Sequence, residues 1–388
     1  FHDNTAPRAD PQPSSTRERR DQTQYCICLW RSAQSPDSGI WRQSEVYTLN
    51  MHRMASEGVV FNTAVSNIPV CTLWRAAFLT VQYPLTNGVF INDVRLSDKS
   101  PTLGTVLRYA GYRTGYIGKW HLDGPEQSGF TPPGPRRQGF EFWAVGNCTH
   151  NYTNSLYYRD TPDPLFWQGY EAEAQTTLVI DYIHNHLSNS PFALVVSWAP
   201  PHNPYRDLPD RYLGMYPEGQ VSPQPNRTDP NPDDLSGYHA HVSALDDQLG
   251  RLMATLDESG HLSNTVFVFT SDHSDMLGAL GVQRKQHPGD ESILFPFIIR
   301  CPDQVAGGHT INSSLNVVDI MPTLFGLADI PIPDTVEGLD HSPAIRGEQF
   351  NGNDDALTMC VSPFAEYQEL SWRGVRTERY TYARRLPD

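Results

Sequence analysis

The chain has 388 residues, which is enough to bury a large core. Its composition, with 38 % hydrophobic residues, 28 glycines and 32 prolines, is that of a globular protein. Its 29 basic residues face 44 acidic ones, a net charge of −15, which argues against nucleic acid as main partner because a phosphate backbone requires a cationic protein face. The sequence contains no run of about 18 apolar residues, so it predicts no transmembrane segment. Six cysteines in so long a chain do not indicate a disulfide framework, so the cysteine content does not identify the cellular compartment.

The chain divides into a polar start and a long region of alternating strand and helix patterns. Residues 1–21 are rich in Pro, Ser and Arg, which predicts a poorly ordered tail. Short apolar runs then predict strands at 25–30, 115–118, 192–198, 265–270 and 295–300. Apolar spacing and capping residues predict helices at 48–57, 75–80, 101–110 behind a Ser100 cap, 237–259, and from near Pro322 to 327.

This alternation predicts an α/β fold with a mainly parallel sheet sandwiched by helices. In such folds ligands bind at the edge formed by the carboxyl ends of the strands. The unusual polar residues of this sequence follow the predicted strands directly, so we expect them to meet at that edge. They are Lys119 and His121 after the second strand, His202 after the third, Asp272 and His273 after the fourth, and Lys285 a little further on.

Cys71 stands just before the helical pattern 75–80, which also carries Arg75. A thiol there faces a helix N-terminus, where backbone N–H groups and the helix dipole favour an anion. This edge of the sheet is therefore predicted to form a pocket for a tetrahedral oxyanion and a hard cation, because it combines lysines, histidines, an arginine and an Asp-His pair. Such a pocket is suited to phosphoryl or sulfuryl transfer. Each residue alone also fits an ordinary role, as a buried thiol, a surface lysine or a helix cap, so the prediction depends on their joint occurrence.

The motifs that contain these residues resemble those of the sulfatase family, within the alkaline-phosphatase-like superfamily, over about residues 48–384. The segment 71–75 reads Cys-Thr-Leu-Trp-Arg where sulfatases carry Cys-x-Pro-x-Arg, and 83–89 continues that signature. The segment 118–122, Gly-Lys-Trp-His-Leu, matches the second signature of the family. The segment 270–278 looks like the family's metal loop and is followed by Lys285-Gln286 and Asp290-Glu291-Ser292.

The resemblance implies an architecture and an activity. It implies a catalytic domain at 22–345 and the start of a small C-terminal antiparallel subdomain, incomplete in this chain, at 346–388. The implied activity is hydrolysis of a sulfate monoester on a small sulfated substrate. Cys71 would be oxidised to formylglycine by a formylglycine-generating enzyme, and the hydrated aldehyde would attack the sulfur atom.

The resemblance also implies a role for each site residue. Arg75 and Lys119 would stabilise the oxyanion of the hydrate, and His121 would take the proton that drives sulfate release. His202 and Lys285 would lie on the sulfate and leaving-group side. Asp272 and His273, together with position 71, would hold a Ca²⁺ (or Mg²⁺) that withdraws charge from the sulfate oxygens.

Two departures from the family pattern keep alternatives open. Leu73 occupies the proline position of the motif that the maturing enzyme recognises, which leaves conversion of Cys71 open. Sulfatases begin with a strand that ends in two acidic metal ligands, whereas here Asp37 is the only acid near the end of the first strand. The alternatives are a catalytically impaired sulfatase-like protein and a phosphate or phosphonate ester hydrolase. Cysteine rather than serine or threonine at position 71 favours sulfate, and the retained lysines and histidines favour an enzyme.

Overall fold

The fold was analysed in a computed structural model, which describes residues 23–30, 46–186, 190–223, 225–228, 231–361 and 371–385. The tail expected at 1–21 and the segment around Asp37 lie outside these residues. Among the described residues, no helix has the length and apolar character needed to cross a membrane.

Fifteen strands and ten α-helices are found in the described part of the chain. The strands are β1 (Gln24–Trp30), β2 (Val59–Phe61), β3 (Ala64–Val65), β4 (Arg113–Lys119), β5 (Phe142–Gly146), β6 (Leu156–Tyr157), β7 (Leu165–Phe166), β8 (Phe192–Ser197), β9 (Thr265–Ser271), β10 (Phe297–Arg300), β11 (His309–Ile311), β12 (Leu315–Asn316), β13 (Asp355–Cys360), β14 (Trp372–Thr377) and β15 (Thr381–Arg385). The helices are α1 (Leu49–Glu57), α2 (Cys71–Thr80), α3 (Pro84–Asn87), α4 (Leu103–Tyr109), α5 (Glu171–His186), α6 (Asp210–Leu213), α7 (Pro232–Glu258), α8 (Asp290–Ile293), α9 (Val317–Leu327) and α10 (Ser342–Ile345), with a 3₁₀ turn at Pro135–Arg137.

Eight strands form the central sheet in the order β11-β2-β10-β9-β1-β8-β4-β5. Seven of them run in the same direction, and β10 pairs antiparallel with both β9 and β2. The prediction of a mainly parallel sheet is therefore confirmed. The local sequence of β10 predicts a strand but not its direction, because an antiparallel strand buried on both faces is as uniformly apolar as a parallel one.

Apolar side chains cover both faces of the sheet, as the continuous apolar runs predict. In β1, Tyr25 and Ile27 belong to a core with helices α2, α4 and α9, while Cys26 and Cys28 face a second core with α1, α5 and α7. The Tyr25 hydroxyl also donates to the carbonyl of Leu324 in α9, over 2.7 Å. The two cores hold the strands rigidly, so that the residues beyond their carboxyl ends have fixed positions.

Four predicted helix starts are wrong in position. Helix α2 begins at Cys71 rather than at residue 75. Helix α4 is capped by Thr102 rather than Ser100, because the backbone N–H of Thr102 donates to Thr105 Oγ1 over 2.7 Å and the two residues form a capping box. Helix α7 begins at Pro232, where the side chain of Asn231 accepts from the backbone of Asp233 over 3.1 Å. Helix α9 begins at Val317, so Pro322 lies inside it instead of near its start.

Strands β13, β14 and β15 form the small antiparallel sheet expected near the C-terminus. Trp372 of β14 is buried in a small apolar cluster with Ile293 and Leu294, which precede β10 in the chain. Its indole N–H donates to the carbonyl of Gln286 over 2.9 Å. Arg376 makes a bidentate pair with Asp290, at 2.9 and 3.0 Å. The small sheet is thereby attached to the loop that contains Lys285.

Candidate active site

The structure brings the eight predicted site residues together at the carboxyl edge of the central sheet. Lys119 ends β4, Asp272 and His273 follow β9 directly, and His202 lies beyond β8. Cys71 is the first residue of α2, behind the extended Val70, as its position before the helical pattern predicts. Arg75, Lys119, His121, His202, Asp272 and His273 are all buried, although each is polar or charged. Such a concentration of buried polar groups is costly for folding unless the groups hold one another or a ligand.

The side chains of His273 and Lys285 bring nitrogen atoms close to the Cys71 thiol. Its Sγ atom is 3.3 Å from Nε2 of His273 and 3.5 Å from Nζ of Lys285. His273 is held by its other ring nitrogen, Nδ1, which lies 2.9 Å from the carbonyl oxygen of Ser274. Since a carbonyl oxygen only accepts, Nδ1 carries the proton and Nε2 presents a lone pair toward Cys71.

The Lys285 ammonium also bonds to a histidine. Its Nζ lies 2.9 Å from Nε2 of His202, and Nδ1 of His202 lies 2.8 Å from the carbonyl oxygen of Asn203. By the same reasoning Nδ1 of His202 is the protonated nitrogen, and Nε2 accepts from the lysine. This arrangement places one cation and one imidazole side by side, within reach of position 71.

Arg75 fastens the site to the sheet. It lies one helical turn after Cys71, on the same side of α2. Its Nη1 donates to Tyr116 Oη (3.1 Å), the carbonyl of Lys119 (2.8 Å) and Ser197 Oγ (2.8 Å), which belong to β4 and β8. Its Nη2 lies 3.5 Å from Oδ2 of Asp272, an ion pair of two fully buried groups. The guanidinium therefore joins α2, two strand ends and the metal-loop carboxylate, and its charge is held in the middle of the site.

His121 has a partner that the sequence analysis did not identify. Its Nε2 lies 2.8 Å from Oδ1 of Asp93, in the turn that follows the first motif. Burial and the ammonium of Lys119 lower the pKa of His121, but hydrogen bonding to Asp93 and to the thiols of Cys148 and Cys71 outweighs them, so its pKa is raised. The hydrogen bond from His121 in turn lowers the pKa of Asp93. The Asn-Asp dipeptide at 92–93 is typical of a turn, and nothing in its local pattern indicates a contact 28 residues away.

Three residues that can ligate a metal ion lie close together in the described part of the chain. The ligand atoms of Cys71, Asp272 and His273 lie within 4.8 Å of one another, and all three residues are buried. The Asp272 carboxylate and the Nε2 lone pair of His273 are donors for a divalent cation, so the residues present fit such an ion. A Ca²⁺ ion takes about six to eight oxygen ligands, more than these residues supply, and Asp37 lies outside the described residues.

A cavity of about 510 Å³ borders the site on the side of His202 and Lys285. Asn203 and Arg284, the chain neighbours of these two residues, belong to its lining, together with Arg206. The loop 147–170 approaches the site from another side, because the Tyr152 hydroxyl donates to the carbonyl of His202 over 2.7 Å.

Comparisons with known proteins show which family the chain is similar to. The sulfatase family model matches residues 27–330, and a model for the C-terminal part of N-sulphoglucosamine sulphohydrolase matches 278–385. An ulvan-active sulfatase of Formosa agariphila is 39 % identical over 365 residues, which cover 92 % of this chain and 71 % of that protein. The crystal structure of a putative sulfatase, yidJ, from Bacteroides fragilis superposes with a TM-score of 0.85 at 26 % identity, over 96 % of this chain and 87 % of that one.

A phosphonate monoester hydrolase from Silicibacter pomeroyi shares the fold, with a TM-score of 0.74 at 19 % identity over 94 % of this chain and 87 % of that one. At this identity the likeness concerns the fold alone. The sulfatase family model, however, matches most of the chain, and the ulvan-active sulfatase is 39 % identical to it, so these two comparisons show the family as well as the fold. The chain belongs to the sulfatase family of the alkaline-phosphatase-like superfamily.

Proposed function

We propose that this protein hydrolyses a sulfate monoester, with residue 71 as the nucleophile position after conversion of Cys71 to formylglycine. The observation that carries the proposal is the position of Cys71 at the first turn of α2, with Nζ of Lys285 at 3.5 Å and Nε2 of His273 at 3.3 Å from its sulfur. A tetrahedral anion bound there would meet backbone N–H groups and cationic side chains together. Formylglycine supplies a hydrated aldehyde with two hydroxyl groups: one attacks sulfur, and the other can then expel sulfate and regenerate the aldehyde, which a serine hydroxyl cannot do.

The other residues act on the substrate through charge and proton transfer. Lys119 and Arg75 stabilise negative charge beside position 71. Arg75 does so mainly through its positive charge, because its Nη1 is already hydrogen-bonded to three protein oxygen atoms. Lys285 and His202 lie together on one side and neutralise or protonate the departing alcohol oxygen. His121, on another side, takes the proton that accompanies sulfate release.

Asp272 and His273, with the group at position 71, would hold the Ca²⁺ or Mg²⁺ ion that the family uses. When bound, such an ion withdraws charge from the sulfate oxygens. The Arg75 guanidinium, at 3.5 Å from Oδ2 of Asp272, helps to hold this carboxylate in place to bind it. The maturation step requires a formylglycine-generating enzyme as a transient partner, and the substrate is a small sulfated molecule.

The proposal is tested by mass spectrometry of the peptide that contains Cys71, from protein made in its native source, together with hydrolysis of aryl sulfate. An aldehyde at position 71 and release of sulfate are expected, and both should be lost in Cys71→Ala. Hydrolysis of an aryl phosphonate faster than the sulfate would replace the proposal with the phosphonate alternative. An unmodified thiol with no hydrolysis of either ester would refute it in favour of a catalytically impaired relative.

A further inference from the structure

The neutral form of His121 can carry its proton on either ring nitrogen, and only one choice serves proton transfer toward position 71. Nε2 lies 2.8 Å from Oδ1 of Asp93, whereas the ring lies beside the thiols of Cys71 and Cys148. An ionised carboxylate has no proton to donate, so this hydrogen bond requires the proton to be on Nε2. Nδ1 then has the lone pair, and it is the atom of the ring that can accept a proton.

Asp93 is itself held by several contacts. Gln127 Nε2 donates to both of its carboxylate oxygens, at 3.2 and 3.0 Å. Its backbone has a φ of +63°, a left-handed conformation that Asp adopts more readily than most residues. The carbonyl of Asp93 also packs so closely on Gly124 that a Cβ added at this glycine would lie 1.8 Å from its oxygen. The carboxylate therefore has little freedom to leave His121.

The turn that carries Asp93 is tied to the helix that carries Cys71. The backbone N–H of Thr72 donates to Oδ1 of Asn92 over 3.2 Å, and the N–H of Asp93 donates to Oγ1 of Thr72 over 3.3 Å. Thr72 is the chain neighbour of Cys71. The backbone of His121 is also fixed, by a hydrogen bond of 2.6 Å to the carbonyl of Asn147. The spacing between the carboxylate, the imidazole and position 71 is therefore set by short connections.

We propose that Asp93 is a positioning residue of the sulfatase reaction, which fixes His121 in the Nε2–H tautomer and so directs the Nδ1 lone pair to the proton that is removed at position 71. This inference rests on the proposed function for its kinetic effect, while the tautomer itself is a property of the protein without substrate. Asp93 acts through His121 and does not contact the substrate. A nucleophile, a base and a carboxylate that orients the base recur together in hydrolases of unrelated folds.

The test is Asp93→Asn, with Asp98→Asn as the matched control. Asp98 is an exposed residue of the same loop region, so its substitution makes the same chemical change away from His121. An amide can donate as well as accept, and it no longer selects one tautomer. We expect Asp93→Asn to lower kcat by about 10²- to 10⁴-fold, the usual contribution of a positioned base, with KM within about threefold of wild type. Asp93→Glu, which keeps an acceptor-only carboxylate, should recover part of kcat.

The second readout does not need activity. In a ¹⁵N–¹H correlation spectrum of histidine-labelled protein, above the pH at which His121 titrates, wild type should show the Nε2–H tautomer for the signal that is missing in His121→Ala. Asp93→Asn should show a mixture or the Nδ1–H form, and Asp93→Glu should keep Nε2–H. If the tautomer is unchanged in Asp93→Asn, or if kcat stays near that of Asp98→Asn, the inference is wrong. If wild type hydrolyses no sulfate ester, the proposed function fails, and the tautomer shift alone decides the role of Asp93.

Discussion

Asp246 of α7 offers a quantitative test of the structure, because its buried carboxylate caps the start of α1. It accepts from the backbone N–H groups of Asn50 and Met51, at 3.0 and 2.8 Å, and from the Asn50 side chain at 3.0 Å. These contacts favour the charged form, but burial outweighs them and raises the pKa of Asp246 to about 6, from an ordinary 3.8. We expect the substitution Asp246→Asn to change the free energy of unfolding by an amount that depends on pH.

The sign follows from proton linkage. Between pH 3.8 and about 6 the folded chain keeps the Asp246 proton longer than the unfolded chain, so its contribution to stability is largest at low pH and is lost as pH rises through the folded pKa. The full difference of about two pKa units corresponds to about 3 kcal/mol. Between about pH 4.5 and pH 8, wild type should therefore lose about 2 kcal/mol relative to Asp246→Asn.

Urea unfolding of both proteins across this pH range measures the difference, because the other titrating groups are common to both and cancel. Asp247→Asn is the matched control, since this neighbouring residue is exposed and its substitution makes the same chemical change outside the cap of α1. A stability difference for Asp246→Asn that varies by less than about 0.5 kcal/mol over the range would refute the assigned burial of this carboxylate.

Three further predictions concern the site. Leu73→Pro restores the family motif at the third residue of α2, in the first helical turn, where proline is tolerated. Mass spectra should then show a larger fraction of Cys71 converted to formylglycine than in wild type or in Leu73→Ala. Lys285→Ala should lower kcat more for alkyl sulfates than for p-nitrophenyl sulfate, since the better leaving group needs less neutralisation; equal losses would contradict its role. Ca²⁺ should raise the melting temperature of wild type, and Asp272→Asn should largely remove that shift; an unchanged shift would place the ion elsewhere.

Much of the fold and site was predictable from sequence because the relevant signals are local. Apolar runs identified β4, β8 and β9, and the parallel arrangement then required that Lys119, His202 and Asp272 meet at one edge. Each of these residues ends its strand or follows it within a few positions, so errors in the predicted helix starts did not affect their placement.

What escaped the sequence analysis depends on contacts between distant segments. Asp93 lies in an ordinary turn, and only the packing of this turn against α2 and Gly124 brings it to His121. The reversed direction of β10 is set by its pairing with β2 and β9, and its own residues do not specify it. Pro322 was interpreted as a helix-start signal, whereas α9 starts at the Asn316–Asp319 contact, where the backbone of Asn316 donates to the Asp319 carboxylate over 2.7 Å.

The attachment of the small C-terminal sheet to the Lys285 loop has a consequence for biosynthesis. Trp372 and Arg376 hold Gln286 and Asp290 through contacts that span 86 residues of chain in each case. A ribosome delivers the central strands and Cys71 long before it delivers β14. The nascent chain can therefore form the helix start at Cys71 while the Lys285 loop still lacks this support, and the loop gains it only after β14 has been translated.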